Sequence, residues 1–137
     1  MWLLDTMVIS ELRKKSPDAG VISWLTTTPA HKLYLSVVTI SEIQRGIVLQ
    51  RQKDSEFAQR LQHWLDALLR NYLDRVLPIT PEIALKWGEL AARVGHDGAD
   101  VMIAATALQH GCTVVTRNGR HFEKFPVPLL NPYHSPN

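Results

Sequence analysis

A chain of 137 residues, 45% of them apolar, suits one globular domain and is long enough to bury about 70% of the surface its unfolded form would expose. Fifteen Lys and Arg against thirteen Asp and Glu leave a formal charge of +2, too little on its own to argue for nucleic acid. No apolar run approaches the roughly 18 residues of a membrane span. The lone Cys112 can form no internal disulfide and the opening MWLLD lacks a basic start and a small-residue cleavage site, so a reducing cytoplasm is expected.

Trp2-Leu3-Leu4 reads as a short strand ending at Asp5, and the apolar spacing of Val8, Ile9 and Leu12 predicts a helix after it. Ser16-Pro17-Asp18 opens a second helix that Thr26-Thr27-Thr28-Pro29 closes. Leu33 to Val38 is β-rich, and Thr39 with Glu42 has the Thr-x-x-Glu spacing of a capping box for a helix over about 40–51. From Asp54 to Tyr72, the apolar residues Phe57, Leu61, Trp64, Leu65, Leu68 and Leu69 form one stripe at helical period, fit for a core or for the face of a homodimer. Val76-Leu77 is a short strand, and Thr80-Pro81-Glu82 starts another helix with a capping hydroxyl and a first-turn proline. A helix over Asp97–Gln109 ends at Gly111, Thr113–Thr116 is a strand, and Pro126–Leu130 is an edge-like strand before a Pro-containing tail from about 131.

Strands alternating with helices indicate a single α/β domain over 1–137 with a mostly parallel sheet, and such sheets bind ligands beyond the C-terminal ends of their strands. Asp5, Glu42 and Asp100 fall near three of those ends or in the helical turns after them. If they converge they repel one another unless a cation neutralises them, and oxygen-only ligands select Mg²⁺ or Mn²⁺ over zinc. Each also has a plainer reading: Asp5 as a helix N-cap, Glu42 as the capping-box partner, Asp100 as a first-turn acid three residues after an Asp97 cap. A receiver domain is set aside because Ser36 stands where its phosphoacceptor Asp belongs, and a dehalogenase-type phosphatase because Asp5-Thr6-Met7 has no second acid.

LLDTMVISEL at 3–12, TISEI at 39–43, DVMIAATAL at 100–108 and TVVTRN at 113–118 together resemble the PIN-domain ribonucleases, in particular the VapC-type toxins of toxin–antitoxin pairs. The resemblance implies a PIN-like three-layer α/β/α fold and a Mg²⁺- or Mn²⁺-dependent endoribonuclease. It implies Asp5, Glu42 and Asp100 as metal-site acids, Thr6 as the hydroxyl beside the first, and Thr116 and Asn118 lining the site from the far strand. It further implies a VapB-like antitoxin partner whose Arg can enter the acidic site, and DNA contacted only through that antitoxin. Two positions depart from the pattern. Met7 stands where the family usually has Asn, and His121 where it often has a fourth acid.

His121 fits three roles: a softer metal ligand favouring Mn²⁺, a donor to a water or phosphate, or a surface loop residue. Its departure sustains an alternative function, a catalytically weakened PIN domain serving mainly as a binding partner in a DNA-bound assembly. Arg117 and Arg120 beside it, with Arg13, Lys14 and Arg45 near the mouth, are candidate RNA-phosphate contacts or solvated charges. Trp24, Trp64 and Trp87 fit core or interface roles better than base stacking.

Overall fold

The computed structural model of the chain describes residues 1–134, so Pro136 of the expected tail lies outside the described residues. Five short apolar runs form strands: β1 Trp2–Leu4, β2 Leu33–Ser36, β3 Val76–Leu77, β4 Thr113–Val115 and β5 Leu129–Leu130. They assemble in the order β3-β2-β1-β4-β5, and every pairing is parallel. Parallel neighbours need crossover connections, which the intervening helices supply. The first strand in sequence is therefore the central one.

Because successive strand residues point to opposite faces, Leu3 and Val114 enter one core cluster while Leu4 and Val115 enter the other. The first cluster is covered by α5 (Pro81–Val94), α6 (Ala99–His110) and the single turn α7 (Gly119–Phe122), through Ile83, Leu90, Val101, Ile103 and Phe122. The second is covered by α1 (Thr6–Ser10), α2 (Ala19–Thr27), α3 (Val37–Arg51) and α4 (Ser55–Asn71), through Val8, Ile9, Val21, Ile47, Leu65 and Leu68. This is the three-layer α/β/α arrangement, and each fully buried leucine in it contributes about 1.5–3 kcal/mol.

Local chemistry explains most boundaries. Thr80 caps α5 by accepting from the Ile83 N–H over 3.2 Å, with Pro81 at the first helical position. Gly111 ends α6 at φ 67°, a left-handed conformation that costs a glycine little. Two expected caps are corrected. Ser36, not Thr39, caps α3: its Oγ accepts from the Val38 N–H over 3.0 Å, the helix starts at Val37, and Thr39 is buried inside it. Glu42 therefore sits in the second turn and belongs to no capping box. Likewise α6 starts after Gly98, which makes no side-chain capping bond, while Asp97 is exposed in the preceding loop.

The α4 stripe is spent on the chain's own core: Leu61, Trp64, Leu65, Leu68, Leu69 and Tyr72 all pack in the second cluster. Its outer edge, Phe57, Leu61 and Trp64, is only half-buried and lines a surface groove with Arg13. Trp24 packs on the same side, edge-on to Trp2 at 5.4 Å between centroids, and Trp87 packs on the other. Among the described residues, no helix is long and apolar enough to cross a membrane.

Candidate active site

Leu4 pairs with Val115 in the β1–β4 register, so the next residues, Asp5 and Thr116, emerge side by side from the two central strands. The ladder continues past both. The Asp5 N–H donates to the Val115 carbonyl and the Thr116 N–H to the Leu130 carbonyl, each over 2.9 Å. Thr116 Oγ1 then donates to Asp5 Oδ2 over 2.8 Å and accepts from the Asn118 N–H over 2.9 Å. Asp5 Oδ1 accepts from the Thr6 N–H over 2.9 Å, so one carboxylate caps α1 and faces the crevice at the same time.

Burial pushes the Asp5 carboxyl above its ordinary 3.8. Hydrogen bonds from Thr116 and Thr6 act against that shift, the Glu42 charge reinforces it, and His121 opposes it. Glu42 arrives from α3, which starts directly after β2. Its Oε1 accepts from Thr6 Oγ1 over 2.6 Å. A hydroxyl has one proton, so the 3.1 Å contact between Thr6 and Thr39 is a bond donated by Thr39. Asp100 stands in the first turn of α6, where a negative charge suits the helix N-terminus.

All three acids line one cleft of about 580 Å³, with Thr6, Met7, His96, Asn118, Arg120, His121 and Lys124 among the other residues around it. His96 Nδ1 lies 4.0 Å from Asp100 and accepts from the Gly98 N–H over 3.3 Å. Among the described residues, no three His, Cys, Asp or Glu side chains stand close enough to cage an ion alone. The donor set nonetheless suits a hydrated hard cation, since Mg²⁺ keeps several waters and takes one or two carboxylates.

The basic candidates divide. Arg120 lines the cleft. Arg13 lines an adjoining groove of about 300 Å³ that shares Thr6 and Glu42 with it. Lys14 is engaged elsewhere, donating to Glu11 over 2.8 Å. Arg117 lies over the Tyr133 ring at 4.9 Å from the centroid, away from the cleft lining, and Arg45 is exposed on α3 outside that lining. Met7 does more than pack: Asn118 Nδ2 donates to its sulfur over 2.9 Å, joining the two walls of the cleft.

Three residues escaped the sequence reading. His96 and Lys124 were findable, the first by its four-residue spacing to Asp100 and the second by its three-residue spacing to His121. Glu11 was findable as a partner of Lys14 but not as a buried group, because the residue that covers it, Tyr133, comes from across the fold. It is buried, accepting from Lys14, from the Asp18 N–H over 3.0 Å and from the Tyr133 hydroxyl over 3.1 Å. Burial alone would raise its carboxyl, but these donors outweigh burial and hold it below its ordinary 4.5.

A PIN domain profile matches residues 2–127. The chain belongs to the PIN-domain family, and its full-length relatives carry VapC and FitB names. It is 34% identical to "VapC ribonuclease Y4jK" of Sinorhizobium fredii over 97% of this chain and 98% of that one. It is 33% identical to "Toxin FitB" of Neisseria gonorrhoeae over 98% and 99%. A solved structure described as FitAB bound to an IR36 DNA fragment superposes with a TM-score of 0.80 at 33% identity, covering 98% of this chain and 97% of that one.

Proposed function

We propose that the protein is a metal-dependent endoribonuclease toxin held in check by a cognate antitoxin. The observation that carries this reading is the convergence of Asp5, Glu42 and Asp100 on one polar cleft rimmed by Arg120 and Lys124. Full-length similarity to proteins named as a ribonuclease and as a toxin supports it.

One or two of Asp5, Glu42 and Asp100 would hold a hydrated Mg²⁺ or Mn²⁺ ion directly, and the remaining acid would reach it through water. When bound, such an ion supplies Lewis-acid polarisation of the scissile phosphate and a water of lowered pKa. The chain's own groups do the rest. Thr116 and the Thr6 N–H fix both Asp5 oxygens, and the Thr6 hydroxyl fixes one of Glu42. Arg120 and Lys124 attract the RNA backbone, and His121 at the rim offers a proton donor toward a phosphate oxygen. Bound RNA excludes water from the acids and strengthens each of these interactions.

An antitoxin suits the same cleft, since clustered carboxylates accept an Arg fork well. The structure of FitAB bound to an IR36 DNA fragment supports a DNA-bound assembly here, with DNA reached through the antitoxin.

The test is cleavage of an RNA panel by purified protein with Mg²⁺, with Mn²⁺ and with chelator, beside Asp5→Ala. Cleavage that needs metal and Asp5 is expected. Cleavage indifferent to both would refute the mechanism. No cleavage with either metal, restored by His121→Asp, would instead support a weakened domain that serves mainly as a binding partner.

A further inference from the structure

The C-terminal segment Asn131–His134 forms a strap across the back of the cleft. Tyr133 is buried, and its hydroxyl proton is shared between Glu11 Oε2 at 3.1 Å and the Met7 carbonyl at 3.2 Å. Its ring carries the Arg117 guanidinium on one face. Two further contacts pin the strap. The His134 N–H donates to Asp18 Oδ1 over 3.2 Å, and the strap backbone lies so close to Gly20 that an added β-carbon would strike the Pro132 carbonyl and stand 2.7 Å from the His134 nitrogen.

These contacts reach both walls of the cleft. Met7 follows Asp5 by two residues and accepts from the Asn118 amide. Arg117 sits between Thr116, which holds Asp5, and Asn118. Tyr133 thus ties the Asp5–Met7 wall to the Thr116–Asn118 wall from behind, while touching neither the cleft nor anything bound in it. The hydroxyl is oriented by an ionised Glu11, which Lys14 and the Asp18 N–H keep in place.

We propose that Tyr133 is a positioning residue: through the Met7 carbonyl and the Arg117 guanidinium, it sets the spacing of the two walls that present Asp5, Thr116 and Asn118. The proposal goes beyond the ribonuclease reading and rests on it only for the kinetic part of its test. A displacement of about 1 Å in such a constellation is enough to cost one to two orders of magnitude in rate, with little effect on ground-state binding.

Tyr133→Phe removes the hydroxyl and keeps the ring under Arg117. With ¹³C-methyl-methionine and ¹⁵N labelling, the Met7 methyl signal and the Asn118 side-chain amide signals are expected to move in Tyr133→Phe, while the methyl of Met102, half-buried on α6 against the other core cluster, stays in place. In RNA cleavage, kcat is expected to fall about tenfold with KM within about twofold. Gly20→Ala, which pushes the strap outward without touching Tyr133, should move the same two signals. The proposal is overturned if the Met7 and Asn118 signals are unchanged in a folded Tyr133→Phe protein, or if they move while kcat stays at the wild-type value. Should the wild-type protein cleave no RNA, the ribonuclease reading fails, and the spectra alone decide the wall-spacing claim.

Discussion

Thr116 Oγ1 holds Asp5 Oδ2 at 2.8 Å across 111 positions of sequence, joining the first acid of the cleft to the wall opposite. The hydroxyl is also the acceptor for the Asn118 N–H, so it is saturated as a donor and occupied as an acceptor. Thr116→Val keeps the shape and loses both bonds. It should destabilise the protein by about 1–3 kcal/mol and reduce RNA cleavage, while Thr116→Ser keeps most of both. Urea unfolding and initial rates for the pair check this, and equal behaviour of Val and Ser would contradict it.

Asp5 strains the fold it serves. Its folded-state carboxyl is raised above the ordinary 3.8, so the folded chain holds that proton to higher pH than the unfolded chain does. Stability therefore falls as pH rises from the ordinary value through the raised one, and the cost is complete above it. Asp5→Asn, which carries no charge, is expected to be more stable than wild type at pH 7 without metal, by about 0.5–2 kcal/mol, and equal to it near pH 3. It should also be inactive. A less stable Asp5→Asn at pH 7 would show that the charge is well solvated after all.

Glu11 works in the opposite sense. Its carboxyl is held below its ordinary 4.5, so its contribution is complete above that value and is lost as pH falls through the lower folded one. Glu11→Gln should cost about 1–3 kcal/mol at pH 7, by leaving Lys14 and the Asp18 N–H poorly matched. In denaturant unfolding the gap between wild type and variant should narrow progressively as the pH falls below 4.5. A gap independent of pH would remove the charge from the explanation.

RNA affinity separates the arginines. Measured on the inactive Asp5→Asn background, Arg120→Ala and Lys124→Ala are each expected to weaken binding across sequences and to lower the salt slope by about 0.7 for a single strand. Arg117→Ala should leave the slope unchanged, because that guanidinium rests on Tyr133. A slope lowered by Arg117→Ala and not by Arg120→Ala would reverse the assignment.

How much of this could be read from the chain depends on the range of the interaction. Asp5, Glu42 and Asp100 were legible because each sits where a strand or helix end is marked by local pattern, and the crevice lies at those ends in a parallel sheet. The start of α3 was misread because Val37 and Val38 are β-branched and extend the look of the strand, whereas the deciding group was the Ser36 hydroxyl one residue earlier. The turn α7, at four residues, is too short to show a period. The Tyr133–Glu11 and Met7–Asn118 contacts were invisible for a different reason: each joins residues more than a hundred positions apart, and no local rule reports such a pair.

The strand made first gains its second neighbour late. Trp2–Leu4 lies between β2 and β4, so a growing chain carries a central strand paired on one edge only, with β2, until the segment around Thr113–Val115 has been synthesised. Asp5 has no Thr116 to hold it before then, and no Tyr133 strap behind it until the last few residues emerge. A chain released before Thr116 therefore has no assembled crevice, and under the proposed function it would lack the cleft that acts on RNA.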